Sequence, residues 1–152
     1  MAVADSFGVW NKQATAIEEA EMAVTGGCRC GAIRYMAEGE PEHNALCACA
    51  ECRRSSGAYL TGWALYPQDA VTITGQPARH NSSGDIERQF CATCGTGMFF
   101  LSASVFPGKV DIQTATLDDP DALPPQAVIQ MADAPHWMQQ MDALPKFERY
   151  PG

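Results

Sequence analysis

Seven cysteines are the residues of this 152-residue chain best suited to chemistry, and they fall in three close groups. Close spacing suits a tetrahedral Zn²⁺, because two thiolates from one tight turn fill half of its coordination shell at little entropic cost. Glycines follow two of the groups and permit a positive φ that turns backbone N–H groups toward sulfur. The groups are the pair Cys28 and Cys30, the triplet Cys47, Cys49 and Cys52, and the pair Cys91 and Cys94.

Sequence separation indicates how the cysteines divide between two ions. The triplet is compact enough for one local turn to hold one metal, whereas the two pairs are distant in sequence and together supply four thiolates, the usual set of structural zinc. Three thiolates on the other ion leave a position free for a ligand, which is typical of catalytic zinc. We therefore predict two Zn²⁺ per chain, one structural at Cys28, Cys30, Cys91 and Cys94, and one catalytic at Cys47, Cys49 and Cys52.

Other interpretations of these residues stay open at this point. The two pairs also fit iron–sulfur ligation or redox chemistry. The triplet also fits a second structural site completed by His43 or another side chain, or a metal-free thiol cluster. His43 itself fits a solvated loop histidine better than a fourth ligand. Arg53 and Arg54 are either solvated or face an anionic substrate, and Trp63 fits the core better than a substrate platform.

The bulk composition narrows the class of partner. The formal net charge is -8 and the only tight basic cluster is Arg53-Arg54, which disfavours nucleic acid and anionic membranes. The first ten residues lack a secretory pattern, and no run of about 18 apolar residues predicts a membrane span. We expect a cytoplasmic protein with reduced thiols, which also suits an odd cysteine count. A homo-oligomer is compatible with this composition.

Short β-type runs separated by Gly, Pro, Asn and Ser predict a mainly β fold of several small sheets. Residues 11–22 are good helix formers and predict a short N-terminal helix. We divide the chain into an N-terminal extension, 1–25, and a single zinc-binding β domain, 26–152. Residues 81–85 are expected to form a loop. The predicted strands lie near 32–36, 59–66, 71–74, 89–90, 98–101, 110–115 and 128–131.

The tail after Leu117 predicts irregular structure. Proline interrupts it at Pro120, Pro124-Pro125, Pro135 and Pro145, which forbids a long helix. We expect it to pack over the sheets, with His136, Trp137 and Phe147 as its anchors.

Four segments of the chain resemble the glutathione-dependent formaldehyde-activating enzyme family, which also includes centromere protein V. The resemblance covers about residues 26 to 147, and all seven cysteines have a counterpart in order. One departure is Ala48, where relatives often carry a polar residue. The segments are GCRCGAIRY at 27–35, CACAECRRSSG at 47–57, RQFCATCGT at 88–96 and TLDDP at 116–120.

The resemblance implies an Mss4-like fold of coiled antiparallel β-sheets held by zinc. It implies the same division of cysteines into a structural and a catalytic zinc site. The family's named reaction adds glutathione to formaldehyde and is classed as a carbon–sulfur lyase activity. From position, we expect Arg53 and Ser56 to contact carboxylates of glutathione.

Three functions fit these residues. The leading hypothesis is a zinc-dependent enzyme that adds a small-molecule thiol to an aldehyde. The second is the same site acting on another small electrophile or thioether. The third is a zinc-stabilised, non-enzymatic binding module whose triplet is closed by a fourth protein ligand.

Overall fold

The computed structural model describes residues 22–152. Within this range lie ten strands and one α-helix, α1 (Ala50–Ser56). Short 3-10 helices occupy Gln68–Ala70, Thr114–Thr116, Met131–Asp133 and His136–Ala143. The strands are β1 (Ala23–Gly27), β2 (Arg34–Glu38), β3 (His43–Cys47), β4 (Thr61–Pro67), β5 (Val71–Thr74), β6 (Ala78–Ser83), β7 (Ile86–Phe90), β8 (Gly97–Leu101), β9 (Lys109–Gln113) and β10 (Ala127–Ile129).

The strands form two sheets. One has three strands in the order β1-β2-β5, and the other has seven in the order β10-β3-β4-β9-β8-β7-β6. All pairings are antiparallel except that of β10, which runs parallel to β3 at the edge of the larger sheet. The prediction of a mainly β, Mss4-like fold is confirmed, with two sheets in place of several small ones. None of the helices in residues 22–152 is long and apolar enough to cross a membrane.

The core lies where the small sheet packs on one face of the large sheet. Tyr35 of β2 meets Phe99 of β8 edge to face, with ring centroids 5.7 Å apart. Tyr66 and Ile112 lie on the same inner face and are almost completely buried. Side chains alternate along a strand, so their sequence neighbours point to the opposite face of the sheet.

That opposite face carries the polar and aromatic residues around the cysteine triplet. The cross-strand register places His43, Leu65, Asp111, Phe100, Arg88 and His80 in one row from β3 to β6. Trp63 lies next to this row, and its ring is 5.9 Å from that of Phe100. The sheet therefore separates an apolar inner core from an outer face suited to binding.

Several predicted elements agree with the structure and others do not. The strand at 71–74 is confirmed, and those near 98–101 and 110–115 are confirmed with small shifts. The loop prediction for 81–85 is partly wrong, because β6 continues to Ser83 and the turn begins at Gly84. The predicted helix at 11–22 lies almost wholly outside the described residues. The division at residue 25/26 stays a prediction; β1 begins at Ala23.

The tail is irregular, as predicted, and its short strand is β10. Its anchors differ from the prediction. Met138 is buried, whereas Phe147 is 59% exposed and therefore anchors little. Trp137 is 44% exposed but meets Tyr59 edge to face, with ring centroids 4.7 Å apart. His136 is exposed.

Candidate metal centres and an adjoining cavity

The first cysteine cluster joins the two sheets. Cys28 and Cys30 lie in the turn after β1, and Cys91 and Cys94 lie in the turn between β7 and β8. Gly31 and Gly95 follow the pairs with φ of 81° and 80°, so the predicted positive φ is confirmed. The four sulfurs lie within 4.8 Å of one another. We call this cluster the tetrad.

The spacing of the tetrad sulfurs fits one metal ion. Cys30 Sγ lies 3.6 Å from Cys28 Sγ and 3.7 Å from Cys91 Sγ. Four thiolates at ~2.3 Å from a tetrahedral Zn²⁺ would lie about 3.8 Å apart. A disulfide would require about 2.05 Å, and all seven cysteines are free. The tetrad can therefore hold one zinc ion with a complete set of thiolates.

Hydrogen bonds to sulfur orient the tetrad. The Ile33 backbone N–H donates to Cys28 Sγ at 3.3 Å. Thr96 Oγ1 accepts from the Arg29 backbone N–H at 3.1 Å and lies 3.1 Å from Cys94 Sγ, so its own hydrogen is placed to donate to that sulfur. This hydroxyl, aided by backbone N–H groups, lowers the pKa of Cys94 to about 5. Thr96 thus connects the two turns that carry the tetrad.

An exposed ion pair near the tetrad connects β2 to the segment after β9. Arg34 Nη1 donates to Asp118 Oδ1 at 2.9 Å, and Thr25 Oγ1 donates to Asp118 Oδ2 at 2.7 Å. The Arg34 guanidinium, with help from the Thr25 hydroxyl, lowers the pKa of Asp118 to about 2. Asp118 therefore links β1, β2 and the segment after β9.

The second cluster, which we call the trio, occupies the junction of β3 and α1. Cys47 ends β3, Cys49 is the N-cap of α1, and Cys52 lies inside that helix. Cys49 Sγ accepts from the Cys52 backbone N–H at 3.2 Å. The three sulfurs lie within 4.8 Å of one another. Within residues 22–152 no fourth Cys, His, Asp or Glu joins this cluster.

His43 does not complete the trio in this structure. It lies on β3, where its Nε2 is 3.2 Å from Asp111 Oδ1 and its ring meets that of Phe106. It is therefore neither the solvated loop histidine that the sequence suggested nor a member of the sulfur cluster. The trio can hold one zinc ion through three thiolates, with a position left for another ligand.

Burial and hydrogen bonding affect the three thiols of the trio differently. Burial raises the pKa of Cys47 to about 12 and also raises that of Cys52. Cys49 is less buried, and although burial opposes its ionisation, the Cys52 backbone N–H and neighbouring thiols lower its pKa overall. Buried thiols of this kind ionise when a metal cation replaces the proton, so the donor set suits a bound metal.

Arg88 contacts the trio from β7. Its Nη2 lies 3.9 Å from Cys52 Sγ, and its guanidinium carbon lies 5.1 Å from the centroid of the Phe100 ring. Trp63 and Phe100 belong to the same packed cluster as the three cysteines. The trio is thus bordered by two aromatic rings and one cation.

A cavity of about 620 Å³ opens between α1 and the strands β6 to β8, and Trp63 and Arg88, which contact the trio, form part of its wall. Its size falls in the range of small-molecule sites. We call it the α1 cavity. Its lining residues include Glu51, Arg54, Ser56, Trp63, His80 and Arg88.

The structure separates the two substrate-binding residues suggested by the sequence. Ser56 lines the α1 cavity, and its hydroxyl donates to the Cys52 carbonyl oxygen at 2.8 Å. Arg53 points to the tail, where its Nη1 donates to the Asp133 carbonyl oxygen at 3.1 Å. Arg54 lines the cavity instead. Cysteine spacing does not point to Arg88, although this residue lies in one of the four family-like segments, because only strand pairing brings it to the trio.

Comparisons with known proteins agree with this description. Residues 23–133 match the family model described as glutathione-dependent formaldehyde-activating enzyme. The matched range contains both cysteine clusters and most residues of the sheets. A crystal structure of a Rhodobacter sphaeroides protein from a structural genomics programme is similar at 23% identity, with a TM-score of 0.51. The match covers 68% of this chain and 98% of that one, and it supports the fold.

Proposed function

Since this chain belongs to the glutathione-dependent formaldehyde-activating enzyme family, we propose that it adds a glutathione-like thiol to a small aldehyde such as formaldehyde. The observation that carries the proposal is the trio itself, three clustered sulfurs with no fourth protein ligand among residues 22–152. The α1 cavity beside it provides room for a substrate. A purely structural site would be expected to close its coordination shell with protein ligands, as the tetrad does.

The two clusters take different roles in this proposal. Cys28, Cys30, Cys91 and Cys94 would hold a structural zinc ion, and Cys47, Cys49 and Cys52 a catalytic one. When bound at the trio, zinc would stabilise an external thiolate at neutral pH. The chain's own residues shape the surroundings of that position. Buried Trp63 and half-buried Phe100 exclude water on one side of it, and Arg88 supplies positive charge beside Cys52.

The proposed reaction is an addition without any redox change. The thiol loses its proton, its sulfur forms a bond to the carbonyl carbon, and the π electrons of the carbonyl move to oxygen. That oxygen takes up the proton, which gives an S-hydroxymethyl product. The reverse reaction breaks the carbon–sulfur bond, so the activity is of the carbon–sulfur lyase type.

Ser56 and Arg53 remain our sequence-based proposals for contacts to the substrate. Ser56 is supported by its place in the cavity wall. Arg53 would have to leave the Asp133 carbonyl oxygen to reach the cavity. We therefore expect Arg53→Ala to affect the reaction less than Ser56→Ala, with both rates measured at subsaturating thiol.

Exchange NMR tests the function directly. Protein containing two zinc ions per chain is mixed with glutathione and formaldehyde, and formation of the S-hydroxymethyl adduct is followed. We expect acceleration over the spontaneous reaction. Cys49→Ser should remove it while the far-UV circular dichroism spectrum is retained, and Ser104→Ala, which is outside the cavity wall, should react like the native protein. No acceleration by the fully loaded native protein would refute this pair of substrates.

The volume of the α1 cavity favours a second candidate. A space of about 620 Å³ could hold an electrophile larger than formaldehyde beside the thiol, so the same site could act on a bulkier electrophile or thioether. A panel of thiols and electrophiles, each assayed with native protein and with Cys49→Ser, would identify such a substrate. A pair that reacts faster than glutathione and formaldehyde, and only with intact Cys49, would support this candidate.

A further inference from the structure

We propose that the α1 cavity binds an anionic end of the thiol substrate, and that Arg88 is the residue that anchors this anion and selects for it. The inference rests on the proposed function for the identity of the occupant. It adds a binding role for a residue outside the cysteine motifs, and a chemical requirement for the thiol, namely a carboxylate within reach of Arg88.

The α1 cavity and the whole chain differ in the sign of their charge. The chain as a whole carries a formal net charge of -8. The wall of the α1 cavity reverses this balance, because two arginines, Arg54 and Arg88, line it together with a single acid, Glu51. A cavity lined by positive charge raises the local concentration of small anions, even in a protein whose net charge is negative.

Arg88 has no carboxylate partner among residues 22–152, and the side-chain sulfur that its guanidinium contacts is that of Cys52. The ion pairs found among residues 22–152 do not include Arg88. Glu87, the residue before it on β7, pairs instead with Arg79 of β6. Its Nε is buried and makes no hydrogen bond in this part of the chain. A partly desolvated guanidinium with free donors is costly, and a bidentate carboxylate would offset that cost.

The Arg88 guanidinium also lies in a suitable position for this role. Stacking on Phe100 fixes the guanidinium at the edge of the trio, with Nη2 3.9 Å from Cys52 Sγ. His80 lies directly across the β6–β7 pairing from Arg88, and it also lines the cavity. Arg88 therefore contacts the trio and also lines the cavity, so a ligand with its sulfur at the trio could place its carboxylate on Arg88.

A different role for Arg88 would be to neutralise the thiolates of the trio. The two roles make different predictions for Arg88→Met. A neutralising residue would be needed to retain the second zinc ion. An anchoring residue would leave both zinc ions in place and affect only the ligand, and this is the result that we expect from metal analysis.

Ligand binding is tested with S-methylglutathione, which keeps both carboxylates but has no free thiol, and with its dimethyl ester. Binding to the zinc-loaded protein is measured by titration calorimetry and by tryptophan fluorescence, since Trp63 lines the cavity. We expect the free acid to bind about tenfold to hundredfold more weakly to Arg88→Met than to native protein. Arg88→Lys should be intermediate, and the ester should bind native and variant alike.

Arg79→Met is the matched control, because it removes one arginine from the adjacent strand outside the cavity. It should bind like native protein. In the exchange assay, Arg88→Met should raise KM for glutathione with little change in kcat, and should abolish the preference for glutathione over its diester. A structural defect would not remove that preference selectively.

Equal affinity of native and Arg88→Met for S-methylglutathione, or loss of the second zinc ion from the variant, would overturn the inference. The two proposals fail separately. Arg88-dependent binding without any acceleration of the reaction would refute the proposed function and uphold the anion site. Acceleration that does not change in Arg88→Met or with the diester would support the proposed function and refute the anion site.

Discussion

At the scale of single residues, Thr96 shows how a side chain outside a ligand set can orient it. Its hydroxyl lies between the Arg29 backbone N–H and Cys94 Sγ and so touches both halves of the tetrad. Groups that hydrogen-bond to metal ligands typically change metal affinity by about 10- to 100-fold when removed. The tetrad therefore depends on a residue that no cysteine spacing reveals.

We predict that Thr96→Val lowers the zinc affinity of the tetrad by about 10- to 100-fold, because Cys94 loses its hydroxyl donor. Competition with a chromophoric chelator measures this affinity. Thr93→Val, at an exposed position in the same turn, is the control and should match native protein. Equal affinities for native protein and Thr96→Val would contradict the role assigned to the hydroxyl.

Asp118 gives a prediction for pH. Arg34 and Thr25 lower its folded pKa to about 2, below the ~3.9 of an unfolded aspartate. The stability it contributes is therefore complete above about pH 4 and disappears as pH falls toward 2. We expect Asp118→Asn to have a lower melting temperature than native protein at neutral pH, and the difference to shrink below about pH 4.

Thermal unfolding of both proteins as a function of pH measures this difference, and release of zinc at low pH is common to the two. Asp121→Asn changes the same charge in the same loop without an arginine partner and should show little effect. A difference between native protein and Asp118→Asn that stays constant down to pH 2 would rule out the ion pair as its source.

At the scale of elements, helix α1 is seven residues long and depends on the tail. Asp133 Oδ2 accepts from the Ala50 backbone N–H at 3.0 Å, and the Ile129 carbonyl oxygen accepts from the Ala48 backbone N–H at 3.0 Å. These contacts hold both ends of the segment that carries Cys49. The tail thus supports the trio without contributing a ligand.

Asp133→Ala should destabilise the protein by about 1 kcal/mol, because the first turn of α1 loses a hydrogen-bond acceptor. It should also weaken zinc binding at the trio more than at the tetrad. Thermal unfolding and stepwise zinc titration measure the two effects. Asp142→Ala, an exposed position further along the tail, is the control. Equal loss at both metal sites would indicate general damage instead of local support.

The elements also show what the sequence could predict. Val71–Thr74 is β-branched at all four positions and is followed by Gly75, so β5 was predictable from local signals. The helix α1 was not, because it begins inside the cysteine motif and is too short for helical periodicity to appear. Strand β3 was not predictable either, because its apolar and polar residues alternate poorly and it ends in Cys47 of the cysteine motif.

The site was predictable only as far as its cysteines. Close spacing predicted that each group would act as a unit, and the structure brings the sulfurs of each predicted set within 4.8 Å. Arg88 and His80 could not be found in this way, because only the pairing of β6, β7 and β8 places them beside the trio. Arg53 and Arg54 are adjacent in sequence, but on α1 Arg53 contacts the tail whereas Arg54 lines the cavity.

At the scale of the whole molecule, the tetrad joins the two sheets. Cys28 and Cys30 leave from the end of β1 in the small sheet, whereas Cys91 and Cys94 connect two strands of the large one. A zinc ion held by all four would fix the sheets against each other. Structural zinc can contribute on the order of 10 kcal/mol, comparable to the entire stability of a domain.

Removal of both metal ions under reducing conditions should therefore abolish cooperative thermal unfolding, or lower the melting temperature by tens of degrees. Calorimetry of native protein before and after treatment with a strong chelator tests this, and re-addition of Zn²⁺ should restore the transition. An unchanged transition after metal analysis has verified complete removal would show that the sheets hold together without zinc.

X-ray absorption at the zinc edge, combined with metal analysis, tests the central claim most directly. The tetrad and the trio provide seven sulfurs for two ions, so we predict two zinc ions per chain with an average of between three and four sulfurs each and one light, exchangeable ligand. Adding glutathione should raise the average toward four sulfurs. A single zinc ion per chain, or two shells already filled by protein ligands and unchanged by glutathione, would contradict the open site.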